Sequence, residues 1–240
     1  MHKFPKYIED CSRENTLRLD TLLASGMPWL KLNIAVPEFD SSVYDSAIEQ
    51  STDWRSQWAA SSKYRDIDKN LVEQWNGQLL FGPSDWDHWL DIYTSVAGSD
   101  EDEMCKRYRQ ELDFSWRLQQ GHPIRSFVER VFPDPLDINL VNFYVLPPGG
   151  YLFPHTDPSI GPRAMNKLYI PLQWAEGNEF GFYEWGNMPV QERTVYLINN
   201  YRYAHWVLNR SDTSRIVLDI GSNLHSIAEV IIDSFYANNS

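Results

Sequence analysis

The sequence predicts an α+β fold in which many short β-strands form a sandwich or closed roll, preceded by a mostly helical region. Short apolar runs bounded by turn residues follow one another through the second half of the 240-residue chain. Such spacing is typical of sandwiches and rolls. Hydrophobic residues make up 42% of the chain and aromatic residues 14%, which is ample for the core of one domain.

The region before residue 138 is predicted to be mostly helix and loop. Ser99 and the acids after it are typical of a helix start, and this helix is expected to end near Leu118. Further helices are predicted at Trp86–Val96 and Pro123–Val131. This region is also rich in tryptophan, which serves either core packing or a lid over a substrate site.

No segment of the chain has the composition of an interdomain linker, so one domain is predicted. It comprises a helical extension over 1–137, a β-roll over 138–222 and a C-terminal segment over 223–240.

The strands of the roll begin with an apolar run from Val141, a turn at 147–150 and a short strand that ends at His155. The other predicted strands are Lys167–Trp174, Phe180–Trp185, Thr194–Ile198, His205–Leu208 and Ser214–Ile220. The last two are expected to be neighbouring strands joined by a turn at 209–212.

His155 and Asp157 are two residues apart at the end of a predicted strand, so both side chains point the same way. If His205 comes from a strand that folds back beside them, two imidazoles and one carboxylate meet at one metal ion. This ligand set is typical of non-haem Fe(II) oxygenases. The alternative is that His155 and Asp157 are ordinary turn residues before Pro158.

Four segments carry a resemblance to a known family. They are the Pro-Pro-Gly-Gly turn at 147–150, Pro154 to Asp157, the strand at 166–172, and the block from Tyr203 to Arg215. In these segments the chain resembles the Fe(II)- and 2-oxoglutarate-dependent oxygenases, and among them the aspartyl/asparaginyl β-hydroxylase group, which includes hydroxylases of free amino acids. The resemblance implies a double-stranded β-helix, a jelly-roll core like that of cupins.

The resemblance also implies the cofactors and their ligands. His155, Asp157 and His205 would bind Fe(II), and Arg215 would bind the distal carboxylate of the cosubstrate 2-oxoglutarate, with O2 as the oxidant. A guanidinium group suits this role, because it binds a carboxylate through two parallel hydrogen bonds. Lys167 and Tyr169 take cosubstrate-contacting positions by the same resemblance. The alternatives are a surface ion pair for Arg215 and an exposed strand position for Lys167.

The animal protein hydroxylases of the resembled group lack the carboxylate ligand and bind iron through two histidines only. This chain retains Asp157 and therefore resembles the members with a complete set of three ligands. The predicted function is therefore hydroxylation of an unactivated C–H bond in a free amino acid or similar small molecule, with release of succinate and CO2. The alternatives are a peptide or protein hydroxylase of the Asp/Asn type and a non-catalytic cupin-like metal-binding module.

Three residues are candidates for the substrate pocket. Tyr144 and Trp174 lie on predicted strands, where aromatic residues also serve as core. Arg163 lies in the loop after the metal ligands and would bind a substrate carboxylate, unless it is simply solvated.

Composition constrains partners and compartment. A net charge of −12 disfavours binding to a nucleic acid backbone. The chain has two cysteines without a metal-binding spacing, and no apolar run long enough for a membrane span. These features predict the cytoplasm, with no membrane or nucleic acid partner.

Overall fold

A computed structural model describes residues 19, 21–23, 26–53, 76–85, 88, 111–157, 167–222 and 224–239. Arg163, most of the predicted helix Trp86–Val96 and most of the predicted helix from Ser99 lie outside these described residues.

The described chain forms a two-sheet sandwich with helices outside it. The strands are β1 (Trp29–Leu32), β2 (Thr52–Asp53), β3 (Asn76–Pro83), β4 (Phe114–Trp116), β5 (Ile138–Leu146), β6 (Tyr151–His155), β7 (Lys167–Gln173), β8 (Asn178–Phe182), β9 (Gly186–Asn187), β10 (Val195–Ile198), β11 (His205–Asn209) and β12 (Arg215–Ser222). The helices are α1 (Ser41–Gln50), α2 (Pro123–Val131) and α3 (Ala228–Asn239).

The strand order is that of a jelly roll. The larger sheet has the order β1-β10-β7-β12-β5-β3-β2, with β4 paired to β3, and the smaller sheet has the order β6-β11-β8-β9. From β5 to β12 the chain passes repeatedly from one sheet to the other, and neighbouring strands in this part of both sheets are antiparallel. The predicted double-stranded β-helix is therefore confirmed.

Strand β12 shows why the larger sheet has two buried faces. All of its residues are buried. Ile216, Leu218 and Ile220 belong to the core under the helices, whereas Val217 belongs to the core between the two sheets. Alternating side chains thus pack on opposite faces, and a strand buried on both faces carries a nearly continuous apolar sequence.

The described part of the N-terminal region also contributes strands, where helix and loop were predicted. β1 extends the larger sheet at β10, and β3 extends it at β5. The helix expected to reach Leu118 is wrong at its C-terminal end, because Phe114–Trp116 form β4. There the Trp116 ring packs 5.1 Å from the Phe81 ring on β3. These strands cover sheet edges that would otherwise expose unpaired backbone groups.

The predicted helix at Pro123–Val131 is confirmed as α2. Its N-cap is His122, whose Nδ1 accepts a hydrogen bond from the Ile124 amide at 3.2 Å. α3 packs beside β1, where the Asn33 amide donates to Ser234 Oγ at 2.9 Å. Among the described residues, none of the helices has the length and apolar character needed to cross a membrane.

Two predicted strand relationships need correction. The strand predicted for Phe180–Trp185 ends at Phe182, because residues 183–185 form a turn. The strands carrying His205 and Arg215 were expected to be neighbours, but they lie in different sheets. The connection at 210–214 crosses between the sheets, so the two side chains approach the interior from different sides of the sandwich.

Candidate metal centre

His155 and His205 lie directly opposite each other at one end of the smaller sheet. His155 is the last residue of β6, His205 is the first residue of β11, and the two are register partners. Their ring centroids are 4.4 Å apart. Asp157 follows two residues after His155, and one potential ligand atom from each of the three side chains lies within 4.8 Å of the others.

The hydrogen bond on His155 defines which nitrogen can bind a metal ion. Its Nδ1 lies 2.8 Å from the Phe153 carbonyl oxygen, which can only accept, so Nδ1 carries the proton. Nε2 is then the nitrogen that a metal ion could bind, and it lies 3.3 Å from Asp157 Oδ1. Such a backbone contact orients the ring of a metal-binding histidine.

The two imidazoles have different electrostatic environments. Burial lowers the pKa of His205 to about 4, although the Asp157 carboxylate opposes this shift. Burial also disfavours the charged form of His155, but the hydrogen bond and charge of Asp157 outweigh it and raise the pKa of His155. His205 is therefore neutral near pH 7, which is the protonation state that binds metal ions.

The outer oxygen of Asp157 is held by two donors. Lys167 Nζ lies 2.8 Å from Oδ2, and Asn200 Nδ2 donates to the same oxygen at 2.6 Å. Burial raises the pKa of the Asp157 carboxyl, but the Lys167 charge and the facing histidines outweigh this effect and hold the pKa well below its usual value. Asp157 is thus a carboxylate at neutral pH, with Oδ1 facing His155.

Lys167 bridges Asp157 and a second buried carboxylate. Its Nζ lies 3.7 Å from Asp219 Oδ2, and the two acids raise the pKa of Lys167 well above its usual value against the effect of burial. Burial raises the pKa of Asp219 to about 6, with Lys167 opposing the shift. The ammonium group lies between these carboxylates, and its contact with the cosubstrate, which the resemblance implies, stays a prediction.

Arg215 forms a separate cationic site inside the roll. Its side chain is buried, it donates a hydrogen bond to the Tyr169 hydroxyl, and its guanidinium carbon lies 4.9 Å from the Trp174 ring centroid. Within the described part of the chain, Arg215 Nε is buried and makes no hydrogen bond. A buried guanidinium with an unused donor is suited to binding an anionic ligand.

The donor set fits a non-haem iron ion. Two imidazole nitrogens and one carboxylate oxygen converge, and Oδ2 of Asp157 already has two other partners. A site of this composition favours Fe(II) and leaves coordination positions for other ligands.

The predicted pocket residues have different surroundings. Tyr144 is half-buried beside Lys167, with its ring centroid 5.9 Å from Nζ, and burial raises its pKa above the usual range. Trp174 lies against Arg215, at the candidate anion site.

Sequence reasoning did not identify Asn200 or Asp219. Asn200 lies in the turn after β10 and has no characteristic spacing to Asp157. Asp219 lies within the apolar run of β12. A single acidic residue in such a strand indicates a buried carboxylate that needs a polar partner, and this signal could have identified it.

Comparison with known proteins finds similarity only among solved structures. No family model matches the chain, and no curated protein matches it. A 2OG-Fe(II) oxygenase family oxidoreductase from Burkholderia pseudomallei is similar at a TM-score of 0.41 and 13% identity, over 63% of this chain and 70% of that chain.

Two further solved structures are similar to the chain at low values. The viral collagen prolyl hydroxylase of Paramecium Bursaria Chlorella virus-1, in its 2OG complex, is similar at a TM-score of 0.41 and 13% identity, over 82% of this chain and 95% of that chain. A cupin domain from Bordetella pertussis Tohama I has a TM-score of 0.27 and 19% identity, over 35% of this chain and 79% of that chain. At these values, a functional conclusion has to rest on the residues of the site.

Proposed function

We propose that the protein is an Fe(II)- and 2-oxoglutarate-dependent dioxygenase that hydroxylates an unactivated C–H bond of a small molecule, with free amino acids as the leading substrate class. The observation that carries this proposal is the convergence of His155, Asp157 and His205 within 4.8 Å, inside a roll that also buries Arg215. A non-catalytic cupin-like module has no need for both features.

Different residues of the chain would bind the iron and the cosubstrate in such a reaction. His155, Asp157 and His205 would hold Fe(II), and Arg215 would bind the distal carboxylate of 2-oxoglutarate. When bound, the iron supplies O2 activation: one oxygen atom enters the substrate as hydroxyl and the other enters succinate, while the cosubstrate loses CO2. The protein contributes binding, orientation and exclusion of water.

The environment of Arg215 supports its role as the cosubstrate anchor. Trp174 and Tyr169 place aromatic rings 4.9 Å and 5.6 Å from its guanidinium carbon, which limits rotation of the guanidinium plane. The carboxylate would become the partner of the unused donor, and the charge-assisted bond would form in a low-dielectric interior.

The preference for a small-molecule substrate rests on Asp157. Asp157 would be a third ligand, and its carboxylate is held by Lys167 and Asn200. This arrangement matches the members of the resembled group that keep a full triad, rather than its animal protein hydroxylases.

The first test is an anaerobic titration with Fe(II) and 2-oxoglutarate, followed by the visible charge-transfer band of the chelated cosubstrate. We expect a band in the wild-type protein, its loss in His155→Ala, and a much higher 2-oxoglutarate requirement in Arg215→Met. A folded wild-type protein that binds iron without this band refutes the 2-oxoglutarate assignment.

Substrate class is tested separately, by succinate release in the presence of single amino acids and of short peptides containing the same residues. Release that needs the peptide form would contradict the small-molecule assignment and favour a peptide hydroxylase.

A further inference from the structure

Asn200 makes two contacts with the candidate iron ligand Asp157. Its side-chain Nδ2 donates to Asp157 Oδ2 at 2.6 Å, and its backbone carbonyl oxygen accepts from the Asp157 amide at 2.9 Å. Asn200 lies in the turn between β10 and β11, 43 residues from Asp157 along the chain. The same turn leads directly to His205, the first residue of β11.

This double contact restricts both the backbone and the side chain of Asp157. The backbone bond sets the direction in which the chain leaves β6, and the side-chain bond sets the carboxylate rotation. With Oδ2 held by Asn200 and Lys167, Oδ1 is the oxygen that faces His155 Nε2, at 3.3 Å. The carboxylate therefore presents one oxygen to a metal ion rather than two.

The described side-chain hydrogen bond of Asn200 is the one that it donates to Asp157. Asn200 is 1% exposed, and within the described residues its side-chain Oδ1 is buried without a hydrogen-bond partner. Among the described residues, Asn199 Oδ1 is buried without a partner in the same way, so the bond to Asp157 is what distinguishes Asn200 from its neighbour. Side chains that hydrogen-bond a metal-binding carboxylate orient it and change metal affinity.

We propose that Asn200 is a positioning residue of the metal centre, which fixes Asp157 as a one-oxygen ligand and couples the β10–β11 turn to the metal site. This inference rests on the proposed function, because it assumes that a divalent ion binds at His155, Asp157 and His205. Asn200 is not one of the three candidate ligands and would act through Asp157. Lys167 differs from it, because Lys167 brings a positive charge as well as a hydrogen bond.

The neighbouring residue provides a matched control. Asn199 lies in the same turn and is 4% exposed, and its described hydrogen bonds are made by the backbone, to Pro28 and Tyr203. Those bonds survive a change of side chain. Asn199→Ala therefore reproduces the loss of a buried asparagine in this turn without touching Asp157.

The experiment compares Mn2+ binding by calorimetry to the full-length wild-type protein, Asn200→Ala, Asn200→Leu and Asn199→Ala, after chelation of bound metal. We expect both Asn200 variants to bind Mn2+ about 10- to 100-fold more weakly, and Asn199→Ala to bind as the wild type does. Asn200→Leu retains the buried volume, so a defect common to Leu and Ala is not caused by a cavity.

The visible spectrum of bound Co2+ gives a second readout, which a general loosening of the fold would not produce. A carboxylate free to rotate binds through a variable number of oxygens, so the intensity and position of the Co2+ bands should change in the Asn200 variants alone. Thermal unfolding of the metal-free proteins verifies that each variant is folded.

Two results overturn the inference while leaving the proposed function intact: wild-type Mn2+ affinity and Co2+ spectrum in the Asn200 variants, or an equal loss in Asn199→Ala. Failure of the wild-type protein to bind either metal overturns the proposed function, and the inference with it.

Discussion

Replacing Lys167 with methionine tests the electrostatics of the metal centre, because it removes the cation between two buried carboxylates. The side chains of Lys167, Asp157 and Asp219 are 19%, 16% and 4% exposed, so solvent screening is limited. At the 2.8 Å Lys167–Asp157 separation and an effective dielectric constant of about 20, the attraction is about 6 kcal/mol before desolvation is counted. Methionine keeps the length of the side chain and removes the charge.

We expect Lys167→Met to lower the free energy of unfolding of the metal-free protein by about 3 to 5 kcal/mol, because it leaves a buried carboxylate without its partner. For a chain of this size, that loss lowers the melting temperature by roughly 6 to 20 °C. Thermal unfolding in the presence of a chelator measures the effect. Lys31→Met is the matched control, because Lys31 is an exposed strand lysine that donates only to Gln191 in the described hydrogen bonds.

The same variant should bind divalent metal more tightly. Lys167 places a positive charge beside the carboxylate that would bind the ion, so its removal is expected to lower the Kd for Mn2+ on the order of 10-fold. Bound Mn2+ should then raise the melting temperature of Lys167→Met more than that of the wild-type protein. The direction is opposite to that expected for Asn200→Ala, which removes a neutral hydrogen-bond donor.

Two outcomes would refute this reasoning. A melting temperature equal to that of the wild type would show that the buried ion pair contributes little net stability. Weaker Mn2+ binding in Lys167→Met would show that Lys167 acts mainly by orienting Asp157, and that its charge is secondary.

Three further results are expected. Arg215→Lys should raise the Kd of 2-oxoglutarate about 10- to 100-fold, measured by the charge-transfer titration, because lysine cannot form the paired charge-assisted bonds; an unchanged Kd would place the cosubstrate elsewhere. Trp174→Ala should raise the same Kd by roughly 3- to 10-fold through loss of the ring over the Arg215 guanidinium, and a loss of Fe(II) binding instead would contradict the assignment of Trp174 to the anion site. His122→Ala should cost about 1 kcal/mol of unfolding free energy at pH 7.5 through loss of the α2 cap. Burial lowers the pKa of His122 in the folded protein, so on acidification the unfolded chain takes up the proton at a higher pH than the folded protein does. The stability that His122 contributes should therefore be lost as pH falls from about 6.5 toward the folded-state pKa. His122→Asn keeps a cap acceptor and should remove this pH dependence, measured by urea unfolding at several pH values; an identical pH dependence in wild type and variant would contradict it.

The sequence determined those features that depend on short-range patterns. The apolar run before the 147–150 turn and the short strand after it became β5 and β6, because strand alternation and turn residues act over a few positions. The pair His155 and Asp157 was recognisable for the same reason. The helix predicted to begin at Pro123 likewise became α2.

Tertiary structure decided which distant residues meet. β1 and β3 exist as strands because β10 and β5 offer unpaired edges, and no local pattern carries that information. His205 and Arg215 are separated by one short connection, yet lie in different sheets. The contacts of Asp157 with Lys167 and Asn200 follow from the placement of β7 and the β10–β11 turn beside β6. These contacts are side-chain interactions between elements far apart in sequence, so they form only after the sheets have set the positions of their partners.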